Sequence, residues 1–321
     1  MSIDSIYEPV QDGLELVERK LTGLALVNRP WVAKPLEYVL GGSGKRIRPA
    51  LTLLAGRSYT YDLDKLVPMA AAIELFHNAT LVHDDAVDKA MTRRGRTAVN
   101  RMWGEEIAVL LGDYLFSVAA DLVCSIGSFR VMRMFAQTLT EISGGQLRET
   151  FNAYNWRRDR KSYFEQIYSK TASLFEAATG TGSILSGTPE DAIVALMNYG
   201  RDLGMAFQVI DDILDFSGDA GEMGKPVGGD LMQGTLTLPA IMYMEQNPKD
   251  RIIREIFEKH GDREKVDRVI KMVRDSMILD ECYRIAADFC DKARRDLDVL
   301  PDAPPRQSLL DLAGYVIERR K

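Results

Sequence analysis

The sequence predicts an all-α protein that folds as a single-domain helical bundle over residues 1–321. Three observations lead to this prediction. Apolar residues recur at helical spacing along most of the chain, and the period-two alternation that is typical of half-buried strands is almost absent. Glycine or proline stands at most joints between the periodic stretches. With 46% hydrophobic residues, the chain can bury a large core.

The apolar spacing places the predicted helices in order along the chain. They are expected at 13–26, 30–40, 47–58, 64–90, 104–126, 130–154, 161–186, 190–216, 235–246, 250–260, 262–298 and 306–319. Within this series, residues 66–83 and 203–214 are apolar nearly all round, so both should lie centrally in the bundle. The glycine-rich stretch from Gly218 to Gly234 is the one long connection.

Charge and cysteine content restrict the class of protein. The net charge of −6 argues against a general polyanion-binding surface, so no nucleic-acid partner is expected. Cys124, Cys282 and Cys290 are odd in number and lack metal-ligand spacing, which favours a reducing compartment and three small core residues. We therefore expect a cytoplasmic protein.

No stretch of the sequence resembles a membrane or export segment. The first residues lack the basic region and apolar run of a secretory signal. Asp113 interrupts the apolar run after Ile107, so no stretch reaches the roughly 18 uncharged residues of a membrane span. We expect no transmembrane segment.

Two aspartate triplets end the two most apolar helices. They are Asp84, Asp85 and Asp88, and Asp211, Asp212 and Asp215. Within a triplet the outer aspartates share a helix face and repel one another unless a cation offsets their charge. Ligands that offer only oxygen favour a hard ion, and magnesium fits better than zinc. One triplet alone would be explained as a solvated helix end, but two at the ends of buried helices indicate a metal site.

A metal site of this kind implies an anionic substrate, which basic residues would help to bind. The candidate basic residues cluster in four short segments. The segments are Lys45 to Arg48 after the glycines of 41–44, Arg93-Arg94-Gly95-Arg96, Lys170-Thr171, and Lys225 in the glycine-rich connection. Lys45 is followed by Arg46 rather than Ser or Thr, so the first segment is not a Walker A loop. Guanidinium groups fork onto phosphate oxygens. Singly, each segment is explained as well by a solvated turn.

Six motifs stand in the order in which they occur in one family. GGSGKRIRP, HDDAVD followed by RRG, GGQ at 144–146, SKTASLF, FQVIDDILD and GKPVGGDLMQGTLTLP resemble those of the trans-isoprenyl diphosphate synthases, or polyprenyl synthetases. The match spans most of the chain. The resemblance implies a homodimer of helical subunits, each with a central elongation cavity and two aspartate motifs facing one another near its mouth.

The resemblance also implies a reaction and its substrates. An allylic prenyl diphosphate ionises, isopentenyl diphosphate attacks the allylic cation, a proton is lost and pyrophosphate leaves. Metals and basic groups stabilise the charge that grows on the leaving diphosphate, and no nucleophilic side chain is needed. The lipid product would bring the protein into peripheral contact with membranes.

The same resemblance implies roles for individual residues. Asp84, Asp85, Asp88, Asp211, Asp212 and Asp215 would hold up to three Mg²⁺ ions, with Asp84, Asp88 and Asp211 as direct ligands. The allylic diphosphate would contact Arg93, Lys170 and Lys225. Isopentenyl diphosphate would bind Lys45, Arg48, His77 and Arg94 without metal. Thr171 and Gln208 would lie beside the reacting carbons. Without the resemblance, His77 would be interpreted as a core histidine.

Product length is expected to depend on the helix that leads into the first triplet. Ala79, five residues before Asp84, is small and would permit elongation in the family, whereas the bulky Phe76 would end the cavity further down. An ideal helix places Phe76 and Thr80 under Asp84. We predict a geranylgeranyl or longer product, with the longer slightly favoured.

Thr235 departs from the family pattern, because the family usually has lysine at this place in DLxxGKxTLP. One expected contact to the diphosphate is therefore missing. Two alternatives stay open: a class I terpene cyclase and a non-catalytic partner subunit of a prenyl synthase. Lys45, Arg48 and Arg94 argue against the cyclase, which needs no second diphosphate site, while Thr235 leaves the partner subunit open.

Overall fold

The structure is a computed structural model that describes residues 2–26, 29–42, 44–93, 95–217 and 227–318. These residues are mostly helical. The strands among them are β1 (Thr92–Arg93) and β2 (Arg96–Thr97), which pair antiparallel with Thr92 opposite Thr97. The prediction of an all-α fold is confirmed.

The α-helices are numbered in chain order. They are α1 Ile3–Tyr7, α2 Gln11–Ala25, α3 Pro30–Leu40, α4 Ile47–Arg57, α5 Leu63–Val87, α6 Val99–Trp103, α7 Glu105–Ser125, α8 Phe129–Phe151, α9 Arg160–Ile167, α10 Ser173–Leu185, α11 Glu190–Ser217, α12 Gly229–Met232, α13 Leu238–Gln246, α14 Ile252–Glu258, α15 Arg263–Arg274, α16 Ile278–Asp296 and α17 Pro304–Glu318. Short 3₁₀ turns cover Glu8–Val10 and Leu297–Val299, and a π-helical turn covers Tyr168–Ala172.

Two predicted helices are interrupted. The prediction of one helix over 262–298 is wrong, because α15 ends at Arg274 and α16 begins at Ile278. The Ser276 hydroxyl accepts a hydrogen bond from the backbone N–H of Ile278 at 3.2 Å and donates one to the Val273 carbonyl at 2.7 Å. Such local hydrogen bonds replace those of a continuous helix. The predicted helix 161–186 contains the π-helical turn.

The chain forms two compact units, each built from three segments. Unit 1 comprises Met1–Gln137, Glu176–Met197 and Val299–Asp311, and unit 2 comprises Thr138–Phe175, Asn198–Asp298 and Leu312–Lys321. The single domain over 1–321 stays a prediction.

Helix α5 is the centre of unit 1. It packs most extensively against α7 and also against α2 and α4. Every residue from Met69 to Phe76 is buried, because the helix carries apolar side chains on all sides. The central position predicted for residues 66–83 is therefore confirmed within this unit.

In unit 2, the C-terminal part of α11 is similarly buried. Leu203, Ala206, Val209, Ile210 and Ile213 are all 0% exposed. Residues 203–214 therefore lie in the core of unit 2, as their sequence predicts.

Helix α7 differs from these core helices. Among the described residues it is the one helix long and apolar enough to cross a bilayer, with a mean hydropathy of 1.9 and 33% of its apolar window buried. The core helix of a soluble protein passes the same test, so α7 is weak evidence for a membrane span. Cys124 near its end is exposed, contrary to prediction, whereas Cys282 and Cys290 are buried.

Candidate active site

The first aspartate triplet ends α5 in unit 1. Asp84 is partly exposed, Asp88 is exposed, and Asp85 between them is only 2% exposed. Asp88 is the C-cap residue, and its N–H donates to the Asp84 carbonyl at 2.8 Å. The outer two carboxylates therefore lie near solvent, and the middle one lies inside the protein.

The hairpin of β1 and β2 brings Arg93 to Asp85. The Nε of Arg93 donates to Asp85 Oδ1 at 2.9 Å, and its Nη2 donates to the same oxygen. Arg96 fixes the hairpin on α3, because its guanidinium lies 3.9 Å from the centre of the Tyr38 ring and donates to the Tyr38 carbonyl. A cavity of about 90 Å³ borders Asp85 and Arg93. Arg93 thus compensates the buried charge of Asp85.

Lys45 and Arg48 lie on either side of Arg46, whose side chain is 12% exposed. Arg46 adopts the left-handed conformation with φ of 48°, which is strained for a residue other than glycine. Its guanidinium pairs with Glu18 and with the buried Glu74, linking the loop to α2 and α5. Lys45 itself is exposed and borders a cavity of about 470 Å³.

The residues assigned to product length lie along α5. Phe76 and Ala79 are 0% exposed. Phe76 makes edge-to-face contacts with Phe116 of α7 and Phe135 of α8, with ring centres 5.1 and 5.3 Å apart. Thr80 is partly exposed and donates to the carbonyl of His77, which is also partly exposed. Phe76 therefore belongs to an aromatic cluster that sequence spacing did not reveal.

The second triplet lies in α11 and repeats the pattern of the first. Asp211 and Asp215 are partly exposed, and the middle Asp212 is 3% exposed. Asp212 accepts hydrogen bonds from the Tyr163 hydroxyl at 2.6 Å and from the Gln208 amide at 2.8 Å. Both oxygens of Asp212 are thus engaged by neighbouring side chains.

Asp215 connects the triplet to a further carboxylate that the sequence analysis did not single out. Its oxygens accept the N–H groups of Gly229 at 3.1 Å and Asp230 at 3.3 Å. Asp230 lies inside the GGDLMQG stretch, so its place in a family motif was the available signal.

Negative charge accumulates around these carboxylates. Burial, with the charges of Asp211 and Asp215, raises the pKa of Asp212 to about 7. Burial and the charges of Asp215 and Asp212 raise the pKa of Asp230 well above its usual range. A bound cation would relieve this repulsion. The residues of unit 2 therefore fit a divalent cation, although within the described ranges no three acidic, histidine or cysteine side chains form a metal cluster by themselves.

The π-helical turn Tyr168–Ala172 carries Lys170 and Thr171. Turns of this kind are frequent at functional sites. Lys170 Nζ lies 2.7 Å from a carboxylate oxygen of Glu149, and Thr171 Oγ1 donates to Gln208 Oε1 at 2.6 Å. The structure therefore brings Thr171 and Gln208 within hydrogen-bonding distance. Their place beside the reacting carbons stays a prediction.

Glycines on two sides let neighbouring helices approach this turn. A Cβ atom at Gly145 of the GGQ motif would lie 2.5 Å from Ser169 Cβ. A Cβ atom at Gly204 of α11 would lie 2.6 Å from Ala172 Cα. Both distances are shorter than real contacts allow, so only glycine fits without movement of the backbone.

Two predicted diphosphate contacts, Arg94 and Lys225, lie outside the described residues. Their assignments stay predictions.

Comparison with known proteins identifies relatives over the full length of the chain. A family model described as polyprenyl synthetase matches residues 29–273. An octaprenyl diphosphate synthase from Haemophilus influenzae is 33% identical over 99% of this chain and 98% of its own length. The chain belongs to the polyprenyl synthetase family.

Two other polyprenyl synthetases extend the comparison. Heptaprenyl diphosphate synthase component 2 from Bacillus subtilis is 32% identical over 100% of this chain and 92% of its own length. A crystal structure of polyprenyl synthase from Caulobacter crescentus, complexed with calcium and isoprenyl diphosphate, superposes with a TM-score of 0.95. It is 30% identical and covers 100% of this chain and 98% of that one.

These relatives confirm the family, the helical fold and the prenyltransferase class of this polyprenyl synthetase, and the long-chain type fits them.

Thr235 lies in the segment that follows Asp230, and its N–H donates to the Asp230 carbonyl at 2.8 Å. The residue that departs from the family pattern is therefore hydrogen-bonded through its backbone to Asp230.

Proposed function

We propose that this polyprenyl synthetase condenses an allylic prenyl diphosphate with isopentenyl diphosphate to give a geranylgeranyl or longer all-trans product. One observation carries the proposal. Each aspartate motif ends a buried helix, and in each the middle carboxylate is buried and hydrogen-bonded while its two neighbours reach solvent. Two such motifs suit the capture of a diphosphate with its cations.

The reaction needs charge stabilisation rather than a nucleophile. The C–O bond of the allylic diphosphate breaks, a C–C bond forms from the double bond of isopentenyl diphosphate, and a proton leaves the adduct. Arg93 and Lys170, with Lys225, would hold the leaving diphosphate. Thr171 and Gln208 would face the transient allylic cation with their oxygens.

Magnesium is the proposed cofactor, with up to three ions per chain. Asp84, Asp88, Asp211 and Asp215 would hold it, and Asp85 and Asp212 complete the predicted ligand set. When bound, magnesium neutralises charge on the diphosphate oxygens. Burial is the main cause of the raised pKa values of Asp212 and Asp230, and the charges of neighbouring aspartates add to it, so a bound cation would lower both pKa values. Magnesium keeps several waters or phosphate oxygens, so it needs few carboxylates.

Isopentenyl diphosphate would bind a separate set of basic groups. Lys45 and Arg48 flank the strained Arg46 in the chain, and the ion pairs of Arg46 with Glu18 and Glu74 hold the loop in place. His77 and Arg94 complete the proposed set. Binding by side chains without metal leaves this diphosphate inactive as a leaving group.

The aromatic cluster around Phe76 would form the end of the proposed elongation cavity. Ala79, one turn nearer the first triplet, leaves space for a growing chain. The names of the relatives, octaprenyl and heptaprenyl diphosphate synthase, support a long-chain product.

A homodimer in the cytoplasm is the proposed form of the enzyme. Ile107, Val109 and Leu110 of α7 and Phe129 at the start of α8 are exposed apolar residues of unit 1. A second copy would cover this surface. The free cysteines fit a reducing compartment. Membrane contact would be peripheral, through the lipid product.

A second candidate is a non-catalytic partner subunit that modulates another prenyl synthase. The name of the Bacillus subtilis relative, component 2, favours it, and Thr235 is compatible with it.

Product analysis tests the proposal. Purified protein is incubated with magnesium, farnesyl diphosphate and labelled isopentenyl diphosphate, and the products are dephosphorylated and separated by chain length. Labelled polyprenols of geranylgeranyl length or longer are expected. A cyclic hydrocarbon without label would instead indicate a terpene cyclase, and the absence of any product would favour the partner subunit.

A further inference from the structure

A chain of hydrogen bonds links four polar side chains in unit 2. Tyr163 of α9 donates to Asp212 Oδ2 at 2.6 Å, and Gln208 Nε2 donates to Asp212 Oδ1 at 2.8 Å. Gln208 Oε1 in turn accepts the Thr171 hydroxyl at 2.6 Å. Tyr163 is only 2% exposed. Three elements, α9, α11 and the π-helical turn, thus meet through one continuous path.

When Asp212 is ionised, the chemistry of these groups fixes the direction of every bond. A carboxylate only accepts, and a protonated phenol donates. Asp212 therefore holds the NH₂ side of the Gln208 amide towards itself, which turns the Gln208 carbonyl towards Thr171. The Thr171 proton is then used by that carbonyl, so the lone pairs of the Thr171 oxygen point elsewhere. Reversing the amide would set its carbonyl oxygen against the Asp212 carboxylate and break the bond to Asp212.

Close packing leaves this path little freedom. Gly204 allows α11 to approach Ala172, and Gly145 allows α8 to approach Ser169, on either side of Thr171. The Ser169 hydroxyl donates to Glu141 at 2.6 Å, which ties the same turn to α8. Because the turn cannot move freely, loss of a hydrogen bond at one end of the path changes the orientation of the Thr171 side chain.

We propose that Tyr163 is a positioning residue for the condensation, acting through Asp212 and Gln208 to aim the oxygens of Gln208 and Thr171 at the reacting carbons. This inference rests on the proposed function. Asp212 then serves as the acceptor that orients Gln208, which differs from its predicted place among the metal ligands. The outer aspartates keep the metal role.

The test compares two tyrosines that make the same kind of bond. Tyr243 donates to Asp250 at 2.6 Å, as Tyr163 does to Asp212, but shares no residue with the path. Tyr163→Phe should lower kcat about tenfold, because one hydrogen bond to a charged group is lost. The KM of both substrates and the magnesium concentration for half-maximal rate should stay within about twofold of wild type. Tyr243→Phe should keep the wild-type kcat.

A second variant separates orientation from metal binding. Asp212→Asn can accept from only one side with its single oxygen. We expect its kcat to fall like that of Tyr163→Phe, and the double variant to be no slower than the slower single one, because both changes break one path. The magnesium requirement of Asp212→Asn should stay near the wild-type value, whereas Asp211→Asn should raise the magnesium requirement.

Three results would show that Tyr163 is not a positioning residue, and one would overturn the proposed function. Wild-type kcat in Tyr163→Phe, equal losses in the two tyrosine variants, or a large rise in the magnesium requirement of Asp212→Asn would overturn the assignment. A wild-type protein without isopentenyl transfer would overturn the proposed function itself. A selective loss of kcat in Tyr163→Phe beside an active wild type supports both.

Discussion

Adjacent aspartates in each motif have different surroundings. Asp85 is 2% exposed and Asp212 is 3% exposed, whereas Asp84 and Asp211, each one residue earlier, reach solvent. A buried carboxylate needs its hydrogen bonds or ion pair to remain charged at low cost. Asp84 and Asp211 lie nearer solvent than the middle aspartates, so their loss should impair chemistry more than folding.

Replacing Asp84 by alanine tests this division. We expect Asp84→Ala to lower the rate of condensation about 100-fold or more, because one carboxylate of the proposed metal site is removed. The circular dichroism spectrum should be unchanged, since Asp84 is partly exposed at a helix end. Turnover within about twofold of wild type would contradict the role of this residue.

Arg93 should matter for stability in a way that an exposed arginine does not. Arg93→Ala leaves Asp85, with a 4% exposed side chain, buried without its partner, and should lower the free energy of unfolding by about 3 kcal/mol. Arg130 pairs with Glu190 on the surface, where the side chains are 49% and 66% exposed, so Arg130→Ala should cost less than about 1 kcal/mol. Urea unfolding measures both, and equal losses would contradict the buried pair.

Sequence spacing predicted the two triplets. It did not predict that the middle aspartate of each is buried and bonded by a side chain from another element. Asp212 and Tyr163 are 49 residues apart in the chain, and Asp85 and Arg93 are eight apart across a hairpin. Helical periodicity places residues on a face only within one helix. Partners supplied by other elements become known only when the chain is folded.

At the scale of elements, the pattern of apolar residues located nearly all long helices, because burial of one face sets their spacing. It could not locate the π-helical turn at Tyr168–Ala172. One extra residue in a single turn leaves the apolar residues at helical spacing on both sides of that turn. The short helices α1, α6 and α12 were missed for a related reason, because a few residues carry too little periodicity.

Neighbouring glycines in the GGQ motif provide a matched test of helix packing. In Gly145→Ala the new methyl group would lie 2.5 Å from Ser169 Cβ, so α8 and the π-helical turn must separate. We expect a loss of about 1–3 kcal/mol of stability together with reduced kcat. Around Gly144 no described atom lies within 4 Å of the new methyl group, so Gly144→Ala should be neutral or stabilise by up to about 1 kcal/mol. Thermal unfolding of both variants checks this, and similar melting temperatures would contradict the proposed close packing.

For the whole molecule, net charge argued against a nucleic-acid-binding protein, but composition did not reveal that α7 exposes apolar residues. The helix was predicted from its spacing, yet its Leu110 is 63% exposed. A sequence pattern alone cannot distinguish an apolar face that packs within the chain from one that meets a second copy.

Introducing charge at this surface tests the homodimer. We expect Leu110→Glu to convert a dimer into a monomer, because a carboxylate in an apolar interface cannot be desolvated without large cost. Met277→Glu, at a residue with a similar exposure of 62%, should leave the dimer intact. Light scattering after size exclusion measures both masses. A wild-type monomer, or dissociation by both substitutions, would contradict the proposed interface.

The stoichiometry of pyrophosphate release tests whether this protein condenses the two diphosphates by magnesium-assisted ionisation. Pyrophosphate and labelled isopentenyl units in the product are counted together, with farnesyl diphosphate, isopentenyl diphosphate and magnesium each omitted in turn. Condensation by magnesium-assisted ionisation predicts one pyrophosphate for every isopentenyl unit incorporated, and no release when any component is missing. Pyrophosphate release without isopentenyl diphosphate, or incorporation without magnesium, would contradict magnesium-assisted condensation.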